Sequence, residues 1–273
     1  MAAEPMVVVD NLHVVYRVYG SGADRGTAAT ALLRMLQRRR RPSIREVHAI
    51  RGLSFVAYKG DAVGLIGRNG SGKSTLLRAI AGLLPPEPGG MVYSAGNAAL
   101  LGVNAALLDK LTGERNVVLG CLAMGMSPQQ VKEKYQSIVD FSGVGDHINL
   151  AMKTYSSGMG SRLRFAIAAA KEQDILLVDE ALATGDAPFR VKSHARINEL
   201  RARAGTVFLV SHNLFEIEET CNRVIWLEKG QIVKAGEGKD IPQIIDEYVA
   251  ASGGDPVERR ARQLQTSQVA SKQ

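Results

Sequence analysis

Short, continuous apolar runs recur along this chain and alternate with longer segments of helical periodicity. Apolar runs of this kind are typical of strands that are covered on both faces, and they occupy residues 62–67, 175–179, 206–211 and 224–227. Helical patterns lie between or after them, at residues 74–84, 188–203 and 213–221. Buried strands that alternate with helices predict an α/β fold with a mainly parallel sheet.

The remaining segments have other patterns. Residues 6–9 and 14–16 predict two strands at the start, and residues 17–46 form an insertion between strands that would otherwise be neighbours. A polar, alanine-rich region at about 111–150 has helical periodicity and predicts a separate helical lobe. We expect residues 253–273, which are rich in Gln, Ser and Arg, to form a frayed polar tail.

Composition excludes several classes of protein. With 273 residues, 45% hydrophobic and 22% charged, the chain is not disordered, collagenous or a coiled coil throughout. Two cysteines, Cys121 and Cys221, are too few for a disulfide framework or a zinc site. No run of about 18 apolar residues and no signal-peptide pattern is present, so we expect a cytoplasmic protein.

The positive charge is concentrated in one segment. The formal net charge is +7, and residues 34–51 hold seven arginines and a single acid, Glu46. Three interpretations remain open: a solvated basic loop, a nucleic-acid site, and a contact with the membrane surface or a lipid pyrophosphate. Arginine suits bidentate phosphate contact. No aromatic residue is interleaved with the arginines of this segment, which disfavours nucleic acid.

Residues 67–74 read GRNGSGKS and fit the phosphate-loop pattern G-x-x-x-x-G-K-[ST], with an apolar strand before and a helix after. Glycines let successive amides point at phosphate oxygens, and the helix aims its positive end at the same anion. Lys73 is suited to the β- and γ-phosphates and Ser74 to Mg²⁺. The predicted nucleotide-binding residues here are Gly67, Arg68, Asn69, Gly70, Ser71, Gly72, Lys73, Ser74 and Thr75.

Titratable side chains follow two other apolar runs. Asp179 and Glu180 end one run, and His212 follows another. Because carboxyl ends of strands face the ligand crevice in doubly wound sheets, these side chains are expected near the phosphates. Asp179 would order the metal's water shell, Glu180 would polarise the attacking water, and His212 would hold the γ-phosphate or the water in line.

Residues 155–159, YSSGM, precede Asp179 by about twenty residues and resemble LSGGQ, the signature of the ATP-binding-cassette (ABC) ATPases. The order of motifs matches that family over roughly residues 5–250. The resemblance implies a P-loop ABC ATPase core with an antiparallel β subdomain and a helical subdomain at about 111–171, all within residues 1–252. It also implies that Ser156, Ser157, Gly158 and the D-loop residue Asp186 of one subunit contact ATP held by a second copy.

The departures from the usual family motifs resemble one branch. YSSGM combines with DEALATGD at 179–186 and LTGERN at 111–116, as in ATPases that export lipid-linked polysaccharides such as O-antigen, teichoic acid and galactan precursors. This implies a homodimer that uses ATP and Mg²⁺ at the cytoplasmic face of the plasma membrane. It would drive a separate transmembrane permease, itself in two copies, and carry a polyprenyl-pyrophosphate glycan, with no nucleic-acid partner. The alternatives are an ABC ATPase for a lipid or a drug, or one with no role in transport.

Two family positions are ambiguous. The glutamine of the family's Q-loop is expected near residues 101–106, where Asn104 is the only amide and the candidate metal or water contact. The aromatic residue that stacks on adenine falls next to the insertion, where Tyr16, Tyr19 and His48 are candidates, with Tyr16 and His48 favoured.

Overall fold

The structure is a computed structural model that describes residues 3–19, 44–101, 107–179, 187–211, 213–257 and 259. Two sheets, one antiparallel and one mostly parallel, carry the helices between and beside them. The predicted α/β architecture is confirmed.

The first sheet is antiparallel, with strand order β2-β1-β4. Its strands are β1 (Pro5–Tyr19), β2 (Ile44–Tyr58) and β4 (Met91–Ser94). β1 is continuous where the sequence predicted two strands, because a register shift around Asn11, whose φ is +44°, keeps the two halves in one ladder. Tyr19 lies opposite Ile44, so both strands extend into the range 17–46 that the sequence assigned to the insertion.

The second sheet has the order β5-β6-β7-β3-β8-β9. Its strands are β3 (Ala62–Ile66), β5 (Ala98–Leu101), β6 (Ile175–Val178), β7 (Thr206–Val210), β8 (Arg223–Glu228) and β9 (Gln231–Glu237). All neighbours are parallel except β8 and β9, which form a hairpin. The mainly parallel sheet is thus confirmed, and β9 is an antiparallel edge strand that the apolar runs did not predict.

Seven α-helices are described: α1 (Lys73–Ile80), α2 (Gly113–Ala123), α3 (Pro128–Ser142), α4 (Ser157–Ala168), α5 (Ala187–Arg203), α6 (Leu214–Thr220) and α7 (Ile241–Ala251). Short 3-10 turns occupy Gly145–Asn149, Met152–Thr154 and Gly238–Asp240. α1 ends four residues before the predicted limit, since the chain turns at Gly82 with φ +71°. In the described ranges no helix combines the length and hydropathy needed to cross a membrane.

Three apolar clusters hold these elements together. One fills the space between the two sheets and α1, and a second covers the other face of the main sheet under α5, α6 and α7. The third is the core of the helical lobe, formed by α2, α3 and α4. The rings of Phe141, Phe165 and Phe189 pack pairwise with centroids 5.7–5.8 Å apart, and so join the lobe to α5.

The chain after α7 begins differently from the frayed tail that the sequence predicted. Arg259, whose side chain is only 13% exposed, forms ion pairs with Glu218 on α6 at 2.6 Å and Asp246 on α7 at 2.7 Å. This part of the tail is therefore held against the main sheet's helices.

Candidate functional site

The loop between β3 and α1 has a backbone that two glycines make possible. Gly67 has φ +146° and Gly72 has φ +108°, a region that disfavours other residues. A Cβ at Gly67 would overlap the carbonyl oxygen of Leu227, and one at Gly72 would lie 2.8 Å from the carbonyl oxygen of Ala49. The loop is thus wedged between the end of β8 and the middle of β2.

Positive charge converges on the inside of this loop. Lys73 Nζ donates to the carbonyl oxygen of Gly67 and, at 3.1 Å, to that of Arg68, so the ammonium lies across the loop. Lys73 also begins α1, whose first turn contains no acid. The amide dipoles of the helix therefore add to the lysine charge instead of being neutralised, as an anion site requires.

Ser71 of the same loop has a buried hydroxyl that lies beside Gly67. The residue is 3% exposed, and its Oγ has no hydrogen-bond partner among the described residues. A buried hydroxyl without a partner costs free energy, so such groups are usually completed by a ligand or water. Together with Lys73 and the glycine-shaped backbone, this donor fits a phosphate chain.

A hairpin turn that sequence reasoning missed supports the loop. Gly230 donates its amide to the carbonyl oxygen of Ser71 at 2.9 Å, and its own carbonyl accepts from Arg51 of β2 at 2.9 Å. Lys229 and Gly230 both have positive φ, at +48° and +81°, the conformation of a type I′ turn. The Lys-Gly pair between two apolar runs was the available signal for it.

Register separates the adenine-stacking candidates. Tyr16 is on the same face of β1 as buried Val14, and its hydroxyl lies 3.4 Å from Thr75 Oγ1 on α1. His48 is exposed and lies opposite Val15, which points to the other face of the sheet. The structure therefore brings Tyr16, and not His48, next to the phosphate loop.

Asp179 lies at the carboxyl ends of the parallel strands of the main sheet, as the phosphate loop does. Val178 is level with Leu209 of β7, and Val210 of β7 is level with Leu65 of β3. Half-buried Asp179 directly follows β6, and Gly67 directly follows β3. The two residues are therefore at the same end of the sheet, with one strand, β7, between their strands. No group of three or more His, Cys, Asp or Glu gathers in the described ranges, and Mg²⁺ beside phosphates needs only one or two carboxylates.

Four predicted site residues lie outside the described residues. They are Asn104, Glu180, Asp186 and His212. In sequence, Asn104, Glu180 and His212 follow described strands and Asp186 precedes α5, and all four remain predictions.

The predicted signature is at an exposed helix start on the lobe. Ser156 is the N-cap of α4, and its Oγ accepts a hydrogen bond from the amide of Met159 at 3.2 Å. Ser156 and Ser157 are exposed, Gly158 is half-buried, and the first turn of α4 has no acid. The helix therefore presents amides and hydroxyls on the surface of the lobe, where they could meet an anion.

Comparison with known proteins gives the family. A model described as ABC transporter matches residues 50–183. A teichoic acids export ATP-binding protein of Staphylococcus epidermidis is 34% identical over 244 residues, which cover 89% of this chain and 88% of that protein. The chain belongs to the ABC transporter family. An O-antigen export system ATP-binding protein of Klebsiella pneumoniae is 36% identical and covers 76% of the chain, with 84% of its own length matched.

The names of these relatives match the polysaccharide-export branch of the ABC family that the motifs indicated, and that prediction is confirmed. A teichoic acids export ATP-binding protein of Listeria innocua is 43% identical over 201 residues, or 74% of the chain. The chain spans 60% of the length of that longer relative.

Solved ABC structures share the fold. The ATP-binding subunit of an ABC transporter superposes with a TM-score of 0.65 at 20% identity, over 95% of this chain and 99% of that one. A dimeric cassette in a post-hydrolysis state bound to ADP and Pi superposes with a TM-score of 0.62 at 20% identity, over 85% of this chain and 98% of that one. The predicted ABC ATPase fold is confirmed.

Proposed function

We propose that residues 1–252 form the nucleotide-binding domain of an ATPase that powers export of a lipid-linked polysaccharide through a separate transmembrane permease. The observation that carries the proposal is the cradle at residues 67–74. It combines a glycine-shaped backbone, an ammonium, an uncompensated helix terminus and the unpaired hydroxyl of Ser71. These groups suit the phosphates of ATP.

Each site residue has one role in this proposal. Lys73 and the loop amides hold the β- and γ-phosphates, while Ser74 and Asp179 hold Mg²⁺. The metal ion neutralises charge on the phosphates when bound. Glu180 acts as the general base for water, His212 positions the γ-phosphate, and catalysis is mainly positioning and charge stabilisation.

The supporting contacts are assigned as follows. Tyr16 stacks on adenine, which its position beside Thr75 supports. Asn104 contributes a metal or water contact. His48 has no role at adenine in this proposal, because it lies opposite Val15 on the other face of the sheet from Tyr16.

Two copies are needed to complete the site. In this proposal Ser156, Ser157 and Gly158 act on ATP held by a second copy, which the exposure of the start of α4 supports. Asp186 crosses the same interface. Binding of two ATP molecules closes the homodimer at the cytoplasmic face of the plasma membrane, and hydrolysis reopens it and moves the permease.

The proposed cargo is a polyprenyl-pyrophosphate glycan. It is supported by the names of the relatives, which are export proteins for teichoic acids and O-antigen. An anionic pyrophosphate also agrees with the arginine-rich segment at residues 34–51. Cells depleted of the protein should accumulate the lipid-linked glycan inside, whereas an exporter of a drug or an unrelated lipid would leave that pool unchanged.

The ATPase assignment is tested by Glu180→Gln. Removing the base while keeping the shape should abolish most turnover and trap an ATP-bound dimer, measured by phosphate release and analytical ultracentrifugation. Glu133→Gln, an exposed acid on α3, is the matched control and should behave as the unmodified chain. Normal turnover by the Glu180 variant would reject this residue as the base.

A further inference from the structure

Tyr155 occupies the position of the family's usual signature leucine, and its hydroxyl, which leucine lacks, forms a hydrogen bond. Its hydroxyl donates a hydrogen bond to the carbonyl oxygen of His147 at 2.6 Å. The ring packs against the core of the helical lobe. Its own amide donates to the carbonyl oxygen of Met152 at 3.0 Å, so the residue is fixed at both the backbone and the tip of the side chain.

The lobe has a space shaped for this hydroxyl. Gly113, the first residue of α2, faces it: a Cβ there would overlap Tyr155 Oη and would lie 2.9 Å from Ile148 Cδ1. Gly113 has an ordinary backbone conformation, because its φ is not among the positive values of the chain. The absence of a side chain at this position therefore serves the close approach of Tyr155 and not a turn.

The segment that leads into the signature is also hydrogen-bonded to the loop before α2. The amide of Met152 donates to Leu111 at 2.9 Å, and that of Lys153 donates to Asp109 at 2.8 Å. Thr112 and Ala151 form an isolated antiparallel bridge.

A buried asparagine holds that loop in turn. Asn116 is 1% exposed; its Nδ2 donates to the carbonyls of Leu108, Leu111 and Thr112 at 3.1, 3.3 and 2.9 Å. Its Oδ1 accepts from the amide of Leu108 at 2.7 Å. Both ends of its side-chain amide are hydrogen-bonded, so the loop is a rigid base for the hydrogen bonds to the signature segment.

We propose that Tyr155 is a positioning residue whose hydroxyl fixes the start of α4 on the helical lobe, so that Ser156, Ser157 and Gly158 are ordered before they meet a second copy. The inference rests on the proposed function, in which those three residues contact ATP in the partner. Without the hydroxyl, the first turn of α4 keeps the N-cap bond of Ser156, the backbone contacts and the packing of the ring, but loses the hydrogen bond that fixes the tip of the side chain. Ordering it then costs free energy at the moment of dimerisation.

The test measures ATP-driven dimerisation in the Glu180→Gln background by analytical ultracentrifugation. Adding Tyr155→Phe removes one hydroxyl and should raise the dimer dissociation constant about threefold to tenfold, the usual range for one hydrogen bond. The affinity of the single chain for a fluorescent ATP analogue should not change, because the Tyr155 hydroxyl bonds to His147 within the helical lobe. Tyr135→Phe, a half-buried tyrosine on α3 of the same lobe, is the control and should leave both values unchanged.

The outcomes separate the two proposals. An unchanged dimer dissociation constant for Tyr155→Phe would overturn the positioning role while leaving the proposed function intact. A parallel loss of dimerisation and of the chain's own nucleotide affinity would also overturn it, because the hydroxyl would then only support folding. If Glu180→Gln with Tyr155 in place forms no ATP-dependent dimer, the proposed function fails, and this inference fails with it.

Discussion

Ser71 gives the sharpest test of the phosphate cradle, because removing its hydroxyl should have opposite effects on two measurements. The residue is 3% exposed and its Oγ has no partner among the described residues. Burial of such a group costs about 1–3 kcal/mol. Ser71→Ala should therefore stabilise the nucleotide-free chain, and each ~1 kcal/mol should raise the unfolding midpoint by about 2–4 °C in a domain of this size.

The same change should weaken ATP binding. A hydrogen bond from a hydroxyl to a charged phosphate oxygen contributes about 1.5–3 kcal/mol. At ~1.4 kcal/mol for each factor of ten, the dissociation constant should rise about 10- to 150-fold. Thermal unfolding without nucleotide and isothermal titration calorimetry with ATP measure the two effects on one preparation.

Ser142 is the matched control. It is 0% exposed, but its Oγ donates to the carbonyl oxygen of Val139 at 2.7 Å and accepts from the amide of Val144 at 3.4 Å. Ser142→Ala should lower the unfolding midpoint and leave ATP affinity unchanged. A lowered midpoint for Ser71→Ala together with unchanged ATP affinity would refute the claim that this hydroxyl is reserved for phosphate.

Three further predictions concern other parts of the chain. Gly72→Ala places a Cβ 2.8 Å from the carbonyl oxygen of Ala49 at φ +108°, so calorimetry should show that ATP binding is largely lost; near-normal affinity would show that the loop does not need this backbone. Burial raises the pKa of the Cys121 and Cys221 thiols from 9.0 to about 11, so unfolded thiols ionise first. The contribution of these thiols to the free energy of unfolding is then complete below pH 9 and is lost as pH rises toward 11. Urea unfolding at several pH values should show this fall, and replacing both cysteines with alanine should make it less steep. Replacing the arginines of residues 38–41 with glutamine should impair export in cells and leave ATP turnover intact. Export at the normal rate would show that these arginines only form a solvated loop.

The strands that the sequence predicted well are those whose burial is uniform. β6 and β7 are buried at every position, and a continuous apolar run in the sequence is the direct consequence. β9 alternates between exposed and half-buried positions, and Gly236 interrupts its pattern, so its seven residues resemble a loop. β2 carries exposed Arg45 and Arg51, and the extra residue between His48 and Ile50 places them on opposite faces, so no simple alternation marked its pairing with β1.

Some parts of the candidate site could be predicted from the sequence and others could not. The phosphate loop is local in sequence, so its strand, glycines and helix could all be predicted from one stretch of residues. The choice between Tyr16 and His48 was not local. β2 gains one residue against β1 between His48 and Ile50, and such a shift turns a side chain to the opposite face. Only the register of two strands that are distant in sequence could decide it.

The ends of β1 and β2 allow the segment between them to vary while the rest of this ATPase stays the same. Tyr19 and Ile44 face each other across the ladder, so the chain leaves the sheet and returns to it at adjacent points. A short hairpin loop could join the same two ends without altering the register below them. Residues 20–43, which hold five of the seven arginines of the basic segment, are therefore a module that can be lengthened, recharged or deleted while β2 keeps its contact with the nucleotide site, and exchanging them alone separates their role from ATP chemistry.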